Sequence, residues 1–279
     1  METRTLVMAG VVAAFAASAT LAEAAGRCFP RQQCQAGQQA SPSAPDDGPV
    51  PEVSGASAAG TESGGRLPLI APINSLPGGQ TYGRWAVEWQ QWAVSMSKAS
   101  NPLLSVMETH PERCAHRQVG RVWFLGGAIL GETNADRVCE VPAGKALFFP
   151  MINTAYYAFL NDSEETRTEA FVRNAGNCTV PAEITIWIDG VKVPRPTRYF
   201  TGPSGSPSPI FNAQLPPDNI FKLDTAAATD LAFSPSAEQG YYLFIYPMSP
   251  GFHLIRWVAH GCLPDFVQEI TYRLTVLPR

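Results

Sequence analysis

The sequence predicts a mainly β protein: two antiparallel sheets packed as a β-sandwich, wired like a jelly-roll or an immunoglobulin domain, with one or two helices against them. Three observations carry this. Short apolar runs recur between glycine- and proline-marked turns from residue 120 onward. The segment at 182–188, AEITIWI, alternates and meets Asp189-Gly190, a two-residue hairpin signal. The chain end alternates too, with Phe266, Ile270, Tyr272, Leu274 and Val276 set against Val267, Glu269, Thr271, Arg273 and Thr275.

The chain opens with an address. Residues 1–24 read as a signal peptide, in which Arg4 precedes a short Ala- and Val-rich run and Ala22-Glu23-Ala24 supplies a small-x-small cleavage pattern. That run is too short for a good membrane span, so an exported protein, secreted or periplasmic, without a transmembrane span after cleavage is expected. Residues 25–66 are rich in Pro, Ser and Gly, as in SGASAAGTESGG, and cannot bury enough apolar surface to offset their ordering entropy. They read as a flexible tether, which leaves one sandwich domain at 67–279.

The first regular element is YGRWAVEWQQWAVSMSK. Tyr82, Trp85, Trp89, Trp92 and Met96 recur at steps of three and four and share one helical stripe, with Arg84, Glu88 and Gln91 off it. Such a stripe either forms a sugar-stacking platform or packs on a sheet, and packing is favoured because a helix this short needs docking to persist. Strand-length runs follow at 120–127, 137–141 and 146–152, with a turn at 142–145. Residues 114–153 thus read as a core hairpin plus a strand covered on both sides, by the partner sheet and by the tryptophan helix. Asp162 with Glu165 reads as a capping box, opening a helix that reaches about Asn174, with Gly176 as a left-handed stop. Residues 195–223, with five prolines, read as a surface loop. Runs at 241–246, 252–258 and 267–277 form a closing meander.

Six cysteines, an even set, favour disulfides in an exported chain. Six allow 15 connectivities; proximity and the return of late strands to early ones favour Cys28 with Cys34, Cys114 with Cys139 and Cys178 with Cys262. Closing the loop of roughly 25 residues between Cys114 and Cys139 contributes about 3.5 kcal/mol on the chain-entropy model.

The runs YGRWAVEWQQW, RVWFLGG and RVCEVPAGKALFFPMIN together resemble a group of uncharacterised exported bacterial proteins. These share a W-F-L-small-G run followed by R-x-C-x-V-P-x-G-K-x-L-F-F-P-x-x-N. The resemblance covers about the first half of the domain and departs at Glu88-Trp89-Gln90, where the pattern doubles the tryptophan. It implies export and the disulfide, and carries no activity.

Net charge is −4, and no Lys/Arg cluster exists to neutralise phosphates, so nucleic acid is not an expected partner. Charged residues are 16% of the chain, a sparse surface suited to a neutral polar ligand such as a glycan or another cell-envelope component. No CxxC, G-x-S-x-G, P-loop, GxGxxG or HExxH motif is present, and no cofactor or catalytic residue is assigned. His253 and His260 sit about 23 Å apart on one strand and His110 and His116 bracket Cys114, so no metal site is expected. Lys145 and Asn153 are polar residues flanking the most apolar strand. Apart from their plain reading as a turn lysine and a strand-end asparagine, they join Trp123 and Trp257 as the candidate ligand-binding set. Non-catalytic ligand binding is thus the first reading. A structural or interaction protein of the cell surface is the second, and a hydrolase with a site assembled from distant residues the third.

Overall fold

The computed structural model describes residues 3–8, 11–16, 66–104, 107–128, 133–221 and 231–279. The cleavage point near Ala24, the tether at 25–66 apart from Arg66, and the pair Cys28 and Cys34 lie outside the described residues. Thr3–Met8 (β1) pairs antiparallel with Val11–Ala16 (β2), within the segment read as signal peptide. Among the described residues neither strand is bonded into a larger sheet. The other elements are Tyr82–Val94 (α1), Met107–Glu108 (β3), Val122–Phe124 (β4), Asn134–Val141 (β5) and Ala146–Phe159 (β6). After them come Glu169–Ala175 (α2), Val180–Ile188 (β7), Val191–Lys192 (β8), Phe211–Gln214 (β9), Ala232–Ile245 (β10), Gly251–Cys262 (β11) and Val267–Val276 (β12).

Two sheets pack as a sandwich, one four-stranded in the order β4-β6-β10-β9 and one six-stranded in the order β3-β5-β12-β11-β7-β8. The expected sandwich is present, but its sheets are mixed: β4 pairs parallel with β6, β5 with β12 and β3 with β5. The cause is the chain path, since β4, β5 and β6 alternate between sheets and returning strands meet in parallel. Residues 114–153 are therefore not a hairpin. Nor is the chain end a meander, because β10 lies in the four-stranded sheet while β11 and β12 pair in the other. The hairpin at Asp189-Gly190 forms as expected, with both residues in the left-handed region at φ 50° and 79°.

β6 is the spine. It runs for 14 residues, all buried, twice the length expected, and pairs along its whole course with β10. Pro150 lacks an N–H, and a bulge beside it accommodates the loss: Ile152 faces Tyr241 and Pro150 faces Tyr242, so Met151 faces no residue. The released Met151 carbonyl accepts from Trp257 Nε1 at 3.0 Å and Gln268 Nε2 at 2.5 Å, both in the other sheet. The bulge shifts the alternation by one residue, so that Asn153 faces the same side as Phe148 and Pro150.

That side carries α1. Thr81 caps the helix by accepting from Arg84 N at 3.2 Å. Tyr82, Trp85, Trp89, Trp92 and Met96 are all buried, so the stripe is core. Each ring also fixes a different stretch of backbone: Tyr82 OH donates to Ala71 O, Trp85 Nε1 to Pro77 O, Trp89 Nε1 to Leu125 O and Trp92 Nε1 to His116 O. Phe148, on the central strand, meets Tyr82 and Trp85 edge-on or tilted and stacks on Tyr242.

Two local expectations are corrected. Thr168, not Asp162, caps α2 by accepting from Phe171 N, while Asp162 accepts from Phe159 N in the preceding turn. Gly176 ends the helix at φ −95°, not left-handed; a Cβ there would meet Ala237 O at 2.8 Å and Tyr156 N at 2.9 Å, so close packing requires the glycine. Nor is the expected loop at 195–223, described as far as residue 221, simply a surface loop. Thr201, Ser206 and Ser208 are buried, β9 extends the four-stranded sheet, and the segment straps over the start of α1. Its backbone groups are satisfied by Gly240 and by its own turns, and this allows burial.

Candidate functional site

The four residues singled out from sequence fall in separate places. Trp257 is fully buried between the sheets, stacked on Phe149 at 5.0 Å and Tyr272 at 6.1 Å. Trp123 alternates with Phe124, which packs on α1, and so points to the inter-sheet side; its indole nitrogen is buried without a hydrogen-bond partner among the described residues. Lys145 sits in the turn before β6 and donates to Gly120 O. Asn153 lies on the opposite side of the four-stranded sheet from Trp257, under α1. Trp123 and Trp257 therefore share a layer, and neither Lys145 nor Asn153 joins them.

Asn153 leads to a buried polar group missed from sequence. Its Nδ2 donates to Tyr242 OH at 2.9 Å, and Tyr242 OH donates to Glu238 Oε2 at 2.8 Å. From α1, Gln90 Nε2 donates to the same Tyr242 oxygen at 3.3 Å, while Gln90 Oε1 accepts from Tyr157 OH at 2.6 Å. Glu238, Gly240 and Tyr242 alternate on one face of β10. Gly240 opposes Asn153, and a Cβ there would lie 2.3 Å from Asn153 Cβ, so glycine opens the room the amide uses. The sequence carries no clear strand signal over 232–240, AFSPSAEQG, where Pro235 and small residues interrupt any alternation.

The electrostatics follow from enclosure. Burial drives the Glu238 carboxyl up to about 7; the Tyr242 hydroxyl opposes this, as do Ser208 and Thr201, whose own hydroxyls bond the Glu238 and Gly240 carbonyls. Burial, then the charge of Glu238, pushes the Tyr157 and Tyr242 phenols upward. Glu238 Oε1 and Asn153 Oδ1 are buried without a partner among the described residues, which further favours a neutral carboxyl. This cluster can hold or release one proton. Its members are two amides, two phenols and the one carboxyl.

Arg137 is a second buried polar group. It donates to Gly126 O at 2.8 Å and Leu103 O at 3.2 Å and lies over the Tyr272 ring, tying the turn after β4 to β12. Among the described residues no group of three or more His, Cys, Asp or Glu converges to hold a metal.

The six-stranded sheet presents its other face to solvent. Register aligns Lys192, Trp187, Arg256, Thr271 and Asp136 in one row across β8, β7, β11, β12 and β5. The Arg256 guanidinium lies 5.9 Å from the Trp187 ring centroid and pairs with Glu269, while Arg273 pairs with Asp136. Phe252 and Leu254 follow on the same face of β11, 65% and 37% exposed.

No family model and no curated protein matches the chain. Among solved structures, PbICP-C in complex with falcipain-2 aligns over 56% of this chain and 99% of that chain, at 12% identity and a TM-score of 0.24. A likeness that low establishes neither fold nor function. Among the described residues no helix is long and apolar enough to cross a membrane.

Proposed function

We propose that the protein is an exported, disulfide-bonded domain that binds a carbohydrate or another cell-envelope ligand without transforming it, using the solvent-facing side of the six-stranded sheet. The observation that carries this reading is the row Lys192, Trp187, Arg256, Thr271 and Asp136. It combines a half-buried indole, a guanidinium laid over it, a hydroxyl and a carboxylate on a rigid surface. An indole face stacks on the apolar face of a pyranose ring, and the flanking groups are donors and acceptors for its hydroxyls. The disulfides Cys114–Cys139 and Cys178–Cys262 fit an oxidising compartment, as does the resemblance to exported proteins.

A glycan array and a pulldown on cell-wall fractions test the reading. Binding that Trp187→Ala weakens about ten-fold or more, with an unchanged melting temperature, supports it. No binding to any glycan or envelope fraction at about millimolar ligand sinks it. The second reading, a structural or interaction protein of the cell surface, draws on the exposed pair Phe252 and Leu254. It is lost if the protein stays monomeric and co-purifies with no envelope fraction.

A further inference from the structure

A second concavity lies away from that sheet face, where the chain enters the folded domain. Arg66, Leu67, Pro68, Leu69 and Ile70 form one wall, and Val193, Pro194, Arg198 and Tyr199 the other, around a volume of about 430 Å³. That size is in the range of small-molecule sites. Both walls are fixed. Ile70 bridges to Ile245 and Ala71 N donates to Phe244 O at 3.0 Å, so the first wall is pinned to the end of β10. The second is held by Val193 N donating to Ile186 O at 2.9 Å and by the turn at Pro196–Arg198.

The lining is largely apolar, with the consecutive residues Leu67, Pro68, Leu69 and Ile70 along one wall and Val193, Pro194 and Tyr199 on the other. The rim is cationic. Arg198 lies over the Tyr199 ring at 4.6 Å and bonds its hydroxyl, which presets the guanidinium. Arg66 stands across from it, and Arg195 follows Val193-Pro194 in sequence. None of these three cations has an ion pair among the described residues, and the lining contains no carboxylate. Arg195 is held at φ 48° between two prolines, so the rim loop is a constrained conformation. On a chain of net charge −4 this is a local positive field over an apolar slot, and no run of basic residues announces it in the sequence.

We propose that this cleft binds a single-chain amphipathic anion, an acyl carboxylate of medium length. The carboxylate lies between Arg198 and Arg66, where a guanidinium fork matches its two oxygens, and the chain lies along Leu67, Ile70 and Pro194. The site is separate from the sheet face and from the buried Glu238 group, and its occupancy does not depend on either.

Titration calorimetry with the full chain and octanoate tests this, with octanol as the same tail without charge and acetate as the head alone. Saturable binding of one octanoate is expected, with octanol and acetate each at least about ten-fold weaker. Arg198→Gln and Arg66→Gln should each weaken octanoate by a similar factor. Octanol binding as tightly as octanoate overturns the proposal, as does the absence of saturable binding. Arg198 supports the buried Tyr199, and its replacement can disturb the fold. Arg66, exposed and outside the described hydrogen bonds, then decides: an unchanged octanoate affinity in Arg66→Gln overturns the proposal.

Discussion

Glu238 sits at the centre of the interface between α1 and the four-stranded sheet, and its protonation is coupled to folding. The carboxyl is raised from its ordinary value of 4.5 to about 7, so the native state holds the proton more tightly than the unfolded chain does. The stability this provides is complete below the unfolded value and is lost as pH rises through the folded one. A shift of that size corresponds to roughly 3 kcal/mol. Its nearest titratable neighbours, Tyr157 and Tyr242, are pushed further above neutrality and do not titrate in this window. The melting temperature is therefore expected to fall between about pH 5 and pH 8, and Glu238→Gln, a neutral mimic of the protonated form, is expected to flatten that fall. Equal pH slopes for the two proteins, measured by thermal melts, would show that Glu238 titrates as an ordinary carboxyl. Asn153 drew notice in the sequence as a polar residue in an apolar run, and it proves a member of this group. The group could not be read because Gln90 on α1 and Glu238 and Tyr242 on β10 are distant in the chain from Asn153 and Tyr157 on β6.

At the scale of elements, α1 was readable because its signal is local: five apolar residues at steps of three and four, and a threonine cap just before them. β6 was readable only in part. The expected strand stops at Ile152 because Asn153 and Thr154 look like a strand end, and their partners, Tyr242 OH and Gly176 O, are remote. The strap at 195–221 was misread for the same reason, since its prolines and serines have the composition of a loop. Gly83 tests how firmly that strap is seated. In an exposed helix, Gly→Ala stabilises by up to about 1 kcal/mol. Here the added Cβ would lie 2.3 Å from Pro207 O and 2.7 Å from Ser206 O, which are backbone atoms. Gly83→Ala is expected to destabilise by about 1–3 kcal/mol in chemical denaturation, the range for overpacking a fitted site. A gain in stability would place the strap away from the helix.

The whole molecule is wired by alternation between its sheets, which sequence periodicity does not encode: it shows that a strand has a buried face, not which sheet receives it. Cysteine spacing reaches further, because the pairs Cys114–Cys139 and Cys178–Cys262, expected from proximity and strand return, both form. They act at different ranges. Cys114–Cys139 fastens the turn at Pro111–Ala115 to β5 and closes a separation of 25 residues. Cys178–Cys262 fastens the approach to β7 to the end of β11, adjacent strands whose separation along the chain is 84 residues. A longer closed loop restrains the unfolded chain more, at about 3.5 kcal/mol for the short loop and about 4.6 kcal/mol for the long one. Replacing both cysteines of a pair by serine removes the restraint without leaving a lone thiol. The Cys178/Cys262 double variant is therefore expected to lose about 1 kcal/mol more than the Cys114/Cys139 double variant. Both should become sensitive to proteolysis. Equilibrium denaturation of the two variants decides it. A larger loss at Cys114/Cys139 would mean that the native packing of the turn against β5, and not the length of the closed loop, governs what each disulfide contributes.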